Sequence, residues 1–354
     1  MPDRPPLGTA FSNLDDRPAG SAELYDPWLT LADMTDSVDG GGRRALGAVA
    51  LLAVPVVLAA VPLVPLAALL GTGGLGLLPV DALGGLLAAA VVGPVAAALL
   101  GPVLVDRRIS RLPEAGLDDR RADFVADCVE RLAADVGVDV PEVTAVRADA
   151  ANVAVADGYR GSRLVVSTRL LGLSEADRDA ALRHALIRLR TRQALLTTAT
   201  LPALAAVETA ALLATLLVGR RGDRTAADRR VNRIHGYEPD RERVPSWAYV
   251  VAGALCWLAL LPAWVPATVG DRLSIAGGRS AADALVARTG TEEREGLGNA
   301  VAFASDAAGA GDWPPLLDRL SLVSMADAET GRVRGTSRQE PRARLARLRS
   351  KRAL

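Results

Sequence analysis

The sequence predicts a mainly α membrane protein: four transmembrane helices with a split cytoplasmic α+β domain that carries a short sheet. Three observations lead there. Half of the 354 residues are hydrophobic yet only 3% are aromatic, and the apolar residues gather in four long runs instead of spreading through a soluble core. Residues 45–70, 82–105 and 244–270 contain no charge, and residues 194–218 contain only Glu208. Crossing a hydrocarbon layer of about 30 Å takes about 20 residues at the helical rise, a length every run reaches. Second, Pro55, Pro62, Pro65, Pro94 and Pro202 lie inside the runs; they would break a water-exposed helix but are tolerated in a membrane one. Third, the intervening polar blocks carry apolar residues at helix and strand periods, as an aqueous domain does.

Taken in order, residues 1–44 are polar and carry Pro, Gly and Asp, and are expected to be disordered. Residues 45–105 hold transmembrane helices one and two. Their junction, Gly71 to Gly76, spells G-x-G-x-x-G. A nucleotide site needs that pattern between a strand and a helix, so here it reads as a turn. Residues 106–193 form the first aqueous block. Helical spacing over 118–136 puts Phe124, Cys128, Leu132 and Val136 on an apolar face. Stretches at 143–146, 153–155 and 164–167 predict three short strands, with Gly158 and Gly161 in the last turn. Ser174, with Asp177 three residues on, caps a helix through Leu182, Leu186 and Leu189 that is expected to run directly into the third transmembrane helix. Residues 194–270 hold helices three and four, joined by an arginine-rich link at 219–243. Trp247, Tyr249 and Trp264 bracket the last run, where amphipathic rings favour the lipid–water boundary. Residues 271–354 are predicted to be the helical C-terminal part, with helices at 280–289 and 296–307 and an arginine-rich one at the end.

Charge sets the expected topology. An even number of spans places 1–44, 106–193 and 271–354 on one side, and these hold 33 of the 41 basic residues. That side is therefore expected to be the cytoplasm, in a multi-pass protein of the cell membrane. The eight arginines of the link pull the other way, among Asp223, Asp228, Glu238, Asp240 and Glu242. The Met1 end lacks the basic-then-apolar layout of a cleaved signal, so the first span is expected to serve as the anchor. Acidic and basic residues are equal in number and Lys351 is the only lysine, which gives no case for a nucleic-acid partner. The partner this composition predicts is the lipid bilayer. Cys128 and Cys256 belong to different blocks and no C-x-x-C occurs, so neither a disulfide nor a cysteine metal site is expected.

The chemistry-bearing segment is His184-Ala185-Leu186-Ile187-Arg188-Leu189-Arg190-Thr191-Arg192-Gln193. It resembles the H-E-L-G-H-x-x-x-R-D helix of the HtpX-like and CAAX-prenyl-protease-like membrane zinc metallopeptidases. Arg192 matches the family arginine, and Gln193 stands where aspartate is usual. Upstream, Ala151-Asn152-Val153-Ala154-Val155 is similar to the family's A-N-A-F-A strand, and Val165 to Leu171 to its V-A-V-T-x-G-L-L segment. Downstream, Arg279-Ser280-Ala281-Ala282-Asp283 with Thr289-Gly290 is similar to E-x-x-A-D…T-G. The resemblance covers roughly residues 45–350, including two spans before the motif helix and two after it, and implies a gluzincin-like aqueous domain.

In such a site two histidines four apart share one helix face and one zinc, with the intervening glutamate as general base and a later glutamate as third ligand. Carried over, the resemblance leaves only His184. Ala185 takes the place of the base, Arg188 of the second histidine and Arg279 of the glutamate ligand, while Asp283 corresponds to the aspartate that orients a ligand. Arginine offers no lone pair and stays charged. The expectation is therefore a site with no metal ligands, no zinc and no catalytic residue: a pseudopeptidase that binds or regulates membrane-protein clients or a partner protease. Asp283 is expected to accept from His184 or to pair with Arg188 or Arg279, tying the two helices together. The alternatives are an active zinc metalloendopeptidase of membrane-protein quality control with non-standard ligands, and a small membrane scaffold or transporter. His235 lies in the link, away from His184. Glu208 is expected to make a helix-packing contact or to be neutral. Thr336-Ser337-Arg338 replaces the threonine-histidine-proline run often found near the family's active site.

Overall fold

The computed structural model describes residues 40–71, 78–219, 246–306, 313–324 and 341–350. Four of its helices hold segments long and apolar enough to cross a membrane: α1 (Gly40–Gly71), α2 (Leu78–Ile109), α6 (Gln193–Gly219) and α7 (Ser246–Gly270). Their outward faces carry exposed Leu52, Leu87, Val91, Leu212, Leu255 and Leu258, apolar area that water would penalise and lipid accepts. Where the helices meet, small residues let backbones approach. A Cβ on Gly93 would overlap the Pro55 backbone of α1, and one on Gly101 the Thr198 backbone of α6.

The remaining elements are α3 (Asp119–Val136), β1 (Glu142–Val146), β2 (Val153–Ala156), β3 (Arg163–Ser167), the single turn α4 (Thr168–Leu171), α5 (Glu175–Arg190), α8 (Gly277–Thr289), α9 (Thr291–Asp306), a 3₁₀ turn (Pro315–Leu320) and α10 (Pro341–Arg349). The sheet runs in the order β1-β3-β2, with β3 parallel to β1 and antiparallel to β2. Strand alternation sends Val153, Val155, Leu164 and Val166 into one core and Ala154, Ala156 and Val165 into another. The first core is built around α5, whose Leu182, Leu186 and Leu189 meet Val129 and Leu132 of α3, Val286 of α8 and Leu297 of α9. The second closes over the sheet's other face with Val105, Ile109, Leu201, Trp313 and Leu317.

Several expectations change. The segment expected to be disordered ends sooner than residue 44, because α1 already starts at Gly40; extending an existing helix costs far less than nucleating one. Residues 1–39, the 72–77 part of the first junction, residues 220–243 of the link with His235, residues 244–245 of the fourth run, and Thr336-Ser337-Arg338 lie outside the described residues. Phe124 is exposed instead of facing the core of α3 and lies 4.8 Å beneath the Arg178 guanidinium; the buried face runs through Val125, Cys128, Val129, Leu132, Ala133 and Val136. Nor does α5 run straight into α6. Thr191 and Arg192 interrupt it, Arg192 adopting φ 54°, a left-handed residue of the kind that ends helices. Conversely α7 continues through a π turn, Asp271–Ala276, into α8, and α9 begins at Thr291, earlier than expected.

Candidate functional site

The site forms where α5 and α8 cross. His184 and Asp283 face each other across the crossing, with His184 Nε2 3.2 Å from Asp283 Oδ1 and the imidazole fully buried. The expected tie between the two helices is thus present. Nε2 carries the proton that Asp283 accepts, so Nδ1 is the lone-pair atom of a neutral ring. Burial pushes His184 below its ordinary pKa, against the opposing pull of Asp283.

The cation partner of Asp283 is neither Arg188 nor Arg279. It is Arg344 of α10, whose Nε and Nη2 donate to the two carboxylate oxygens at 2.8 and 2.6 Å. Such a bidentate fork is the strong form of an arginine–carboxylate contact. Arg344 also donates from Nη1 to Leu322 O.

Arg188 and Arg279 turn to backbone oxygens instead. Arg188 donates to Leu320 O at 2.6 Å and Ser321 O at 3.2 Å through Nη1, to Arg319 O at 3.0 Å through Nη2, and to Gln193 Oε1 at 3.2 Å through Nε. Arg279 donates to Asp318 O and, at 2.9 Å, to Ser324 Oγ. A 3₁₀ turn ends in carbonyls without intrahelical partners, the negative end of its dipole, and these two guanidinium groups cap it. Burial, then the charges of Arg279 and Arg344, push Arg188 well below its usual pKa, a pressure that its four acceptors oppose. Gln193 completes the arrangement, donating from Nε2 to Ser274 O at 3.2 Å and Ile275 O at 3.0 Å of the π turn. A neutral amide suits that place because it accepts from Arg188 and donates to carbonyls at once.

Beyond this layer, Arg319 reaches the long apolar helices and donates to Asp271 Oδ1 at 2.9 Å and to Glu208 of α6. Glu208, the single ionisable group of its run, is therefore ion-paired. Ala185 is buried in the core beside Leu182 and Leu186 and carries no proton acceptor.

These side chains do not fit a zinc ion. Of the positions the resemblance assigns to metal, only His184 keeps a lone pair, at Nδ1, and the other two are guanidinium groups bound to oxygens of residues 318–324. Among the described residues no three His, Cys, Asp or Glu side chains converge. Sequence reasoning placed His184, Ala185, Arg188, Arg279 and Asp283 in one region, and the fold brings them together. It missed Arg344, Arg319 and the clasp of Asn152 on Val323, where Asn152 Nδ2 donates to Val323 O at 2.7 Å. Only Asn152 had a signal, its place in the A-N-like strand. No family model, curated protein or solved structure matches the chain.

Proposed function

We propose that the chain is a degenerate member of the HtpX-like and CAAX-prenyl-protease-like membrane metallopeptidases that binds polypeptides instead of cutting them. In this reading its gluzincin-like aqueous domain faces the cytoplasm, and its clients are membrane proteins or a partner protease. One observation carries the reading: Arg188 and Arg279, where the resemblance puts a histidine and a glutamate ligand, both donate to carbonyls of residues 318–321. A guanidinium cannot ligate metal, and Ala185 cannot act as a base, a loss worth roughly 10²–10⁴ in rate by itself. A peptidase recruiting Asp283 as a ligand would have to displace Arg344 from both of its oxygens.

The test uses full-length protein in lipid nanodiscs. It is expected to leave casein uncut with or without a chelator, and to slow the aggregation of reduced, carboxymethylated lactalbumin. Chelator-sensitive cleavage of casein would contradict the proposal, as would failure to bind the unfolded lactalbumin.

A further inference from the structure

The order β1-β3-β2 gives β2 an edge that no other strand of the sheet uses. Residues 319–323 lie along it. Ser321 bridges Ala154 in antiparallel sense, Leu322 N–H donates to Val153 O at 2.8 Å, and Val323 N–H donates to Asn152 Oδ1 at 3.2 Å. On its other side the same stretch faces α5, α8 and α10, where every carbonyl from Asp318 to Leu322 receives an arginine N–H, and Val323 O receives the Asn152 amide. Leu320 joins one apolar core and Leu322 and Val323 the other. Apart from those apolar seats, the Arg319 ion pairs with Asp271 and Glu208 and the Trp313 indole on the Ser321 hydroxyl, what is recognised along this stretch is peptide backbone. That is the chemistry of strand addition, in which an edge supplies hydrogen bonds and pockets take the side chains.

We propose that the groove between β2 and α5 is a binding site for an extended polypeptide, that residues 319–323 occupy it as an internal stand-in, and that Arg344 is the latch that keeps them there. The proposal rests on the binding role above and names where the client sits. Arg188 and Asn152 belong to core elements and remain if residues 319–323 leave, ready to receive the carbonyls of another chain. Arg344 differs. It stands on a nine-residue helix, too short to be stable alone, and it alone joins the stand-in at Leu322 to Asp283. Withdrawing α10 therefore removes one clamp from the internal strand while leaving the others in place.

The experiment uses the full chain carrying Cys256→Ser in nanodiscs, with a fluorescein-labelled synthetic peptide of residues 313–324 as probe. Arg344→Ala is expected to bind the peptide about tenfold more tightly than the parent, a difference of about 1.4 kcal/mol. Ala154→Cys with Ser321→Cys places two thiols on directly paired strand positions, near disulfide reach. Oxidised, this variant is expected to lose peptide binding; reduced, to regain it. Equal binding by the oxidised and reduced forms overturns the proposal, as does an Arg344→Ala protein that folds and binds no better than the parent. Should Arg344→Ala fail to fold, the disulfide pair decides the matter. If the oxidised variant still binds carboxymethylated lactalbumin as the parent does, the groove assignment falls and the binding role stands. If no variant binds any polypeptide, both fall.

Discussion

At the scale of single residues, a guanidinium out of water is costly unless its N–H groups find oxygens, and a buried carboxylate needs a cation or a donor. Arg188 meets the first requirement with three carbonyls and an amide, and Asp283 the second with Arg344 and His184. The resemblance located Asp283 and His184, which is why their contact was foreseeable. Arg344 was not, because it is one of several arginines in a basic tail and spacing does not reveal which of them turns inward. His184 makes this layer sensitive to pH. Its folded pKa lies below the ordinary value, so the unfolded chain takes up the proton first as pH falls. Its contribution to stability is complete above about pH 6.5 and declines below it, with a slope of at most about 1.4 kcal/mol per pH unit. In a His235→Gln background, where His184 is the only histidine, stability measured between pH 7 and 5 is expected to show that slope. His184→Gln should flatten it. An unchanged slope in His184→Gln would remove the histidine from the account.

At the scale of elements, periodicity predicted the three strands and most of the helices, because core-facing residues recur at fixed intervals. The junctions escaped it. The break at Thr191–Arg192 and the π turn at Asp271–Ala276 depend on hydrogen bonds between distant segments, such as those from Gln193 to Ser274 and Ile275. Close backbone approach is equally invisible in one dimension. Gly84 and Gly101 both lie in α2 and look alike in sequence, yet a Cβ at Gly84 meets nothing within 4 Å while one at Gly101 meets the Thr198 backbone. Gly101→Val is accordingly expected to destabilise the protein by about 3 kcal/mol. Gly84→Ala should be neutral or stabilising by up to about 1 kcal/mol, as helix propensity favours alanine. Thermal unfolding of the two variants in the same detergent checks this, and equal effects would contradict the α2–α6 contact.

At the scale of the whole molecule, the four long apolar runs were legible because bilayer thickness imposes a length on the chain. What the runs could not reveal is how closely the rest of the fold joins the four apolar helices: α6 begins within the buried arginine layer at Gln193, and Arg319 reaches Glu208 inside the third run. A crossing by α6 would put residues 106–193 and the link on opposite sides. Tyr159→Cys, at an exposed position, and Thr225→Cys, in the link, are expected to react with a membrane-impermeant thiol reagent from opposite faces of sealed vesicles, in a Cys256→Ser background. Labelling of both from one face would remove the third crossing.

The claim beneath all of this is that guanidinium groups tied to backbone carbonyls have taken the place of a metal. Its most direct test is zinc titration of the full-length, chelator-treated protein, followed by desalting and elemental analysis. The account predicts no zinc retained in proportion to protein, and the same result in His184→Ala. One zinc per chain, lost in His184→Ala, would contradict it.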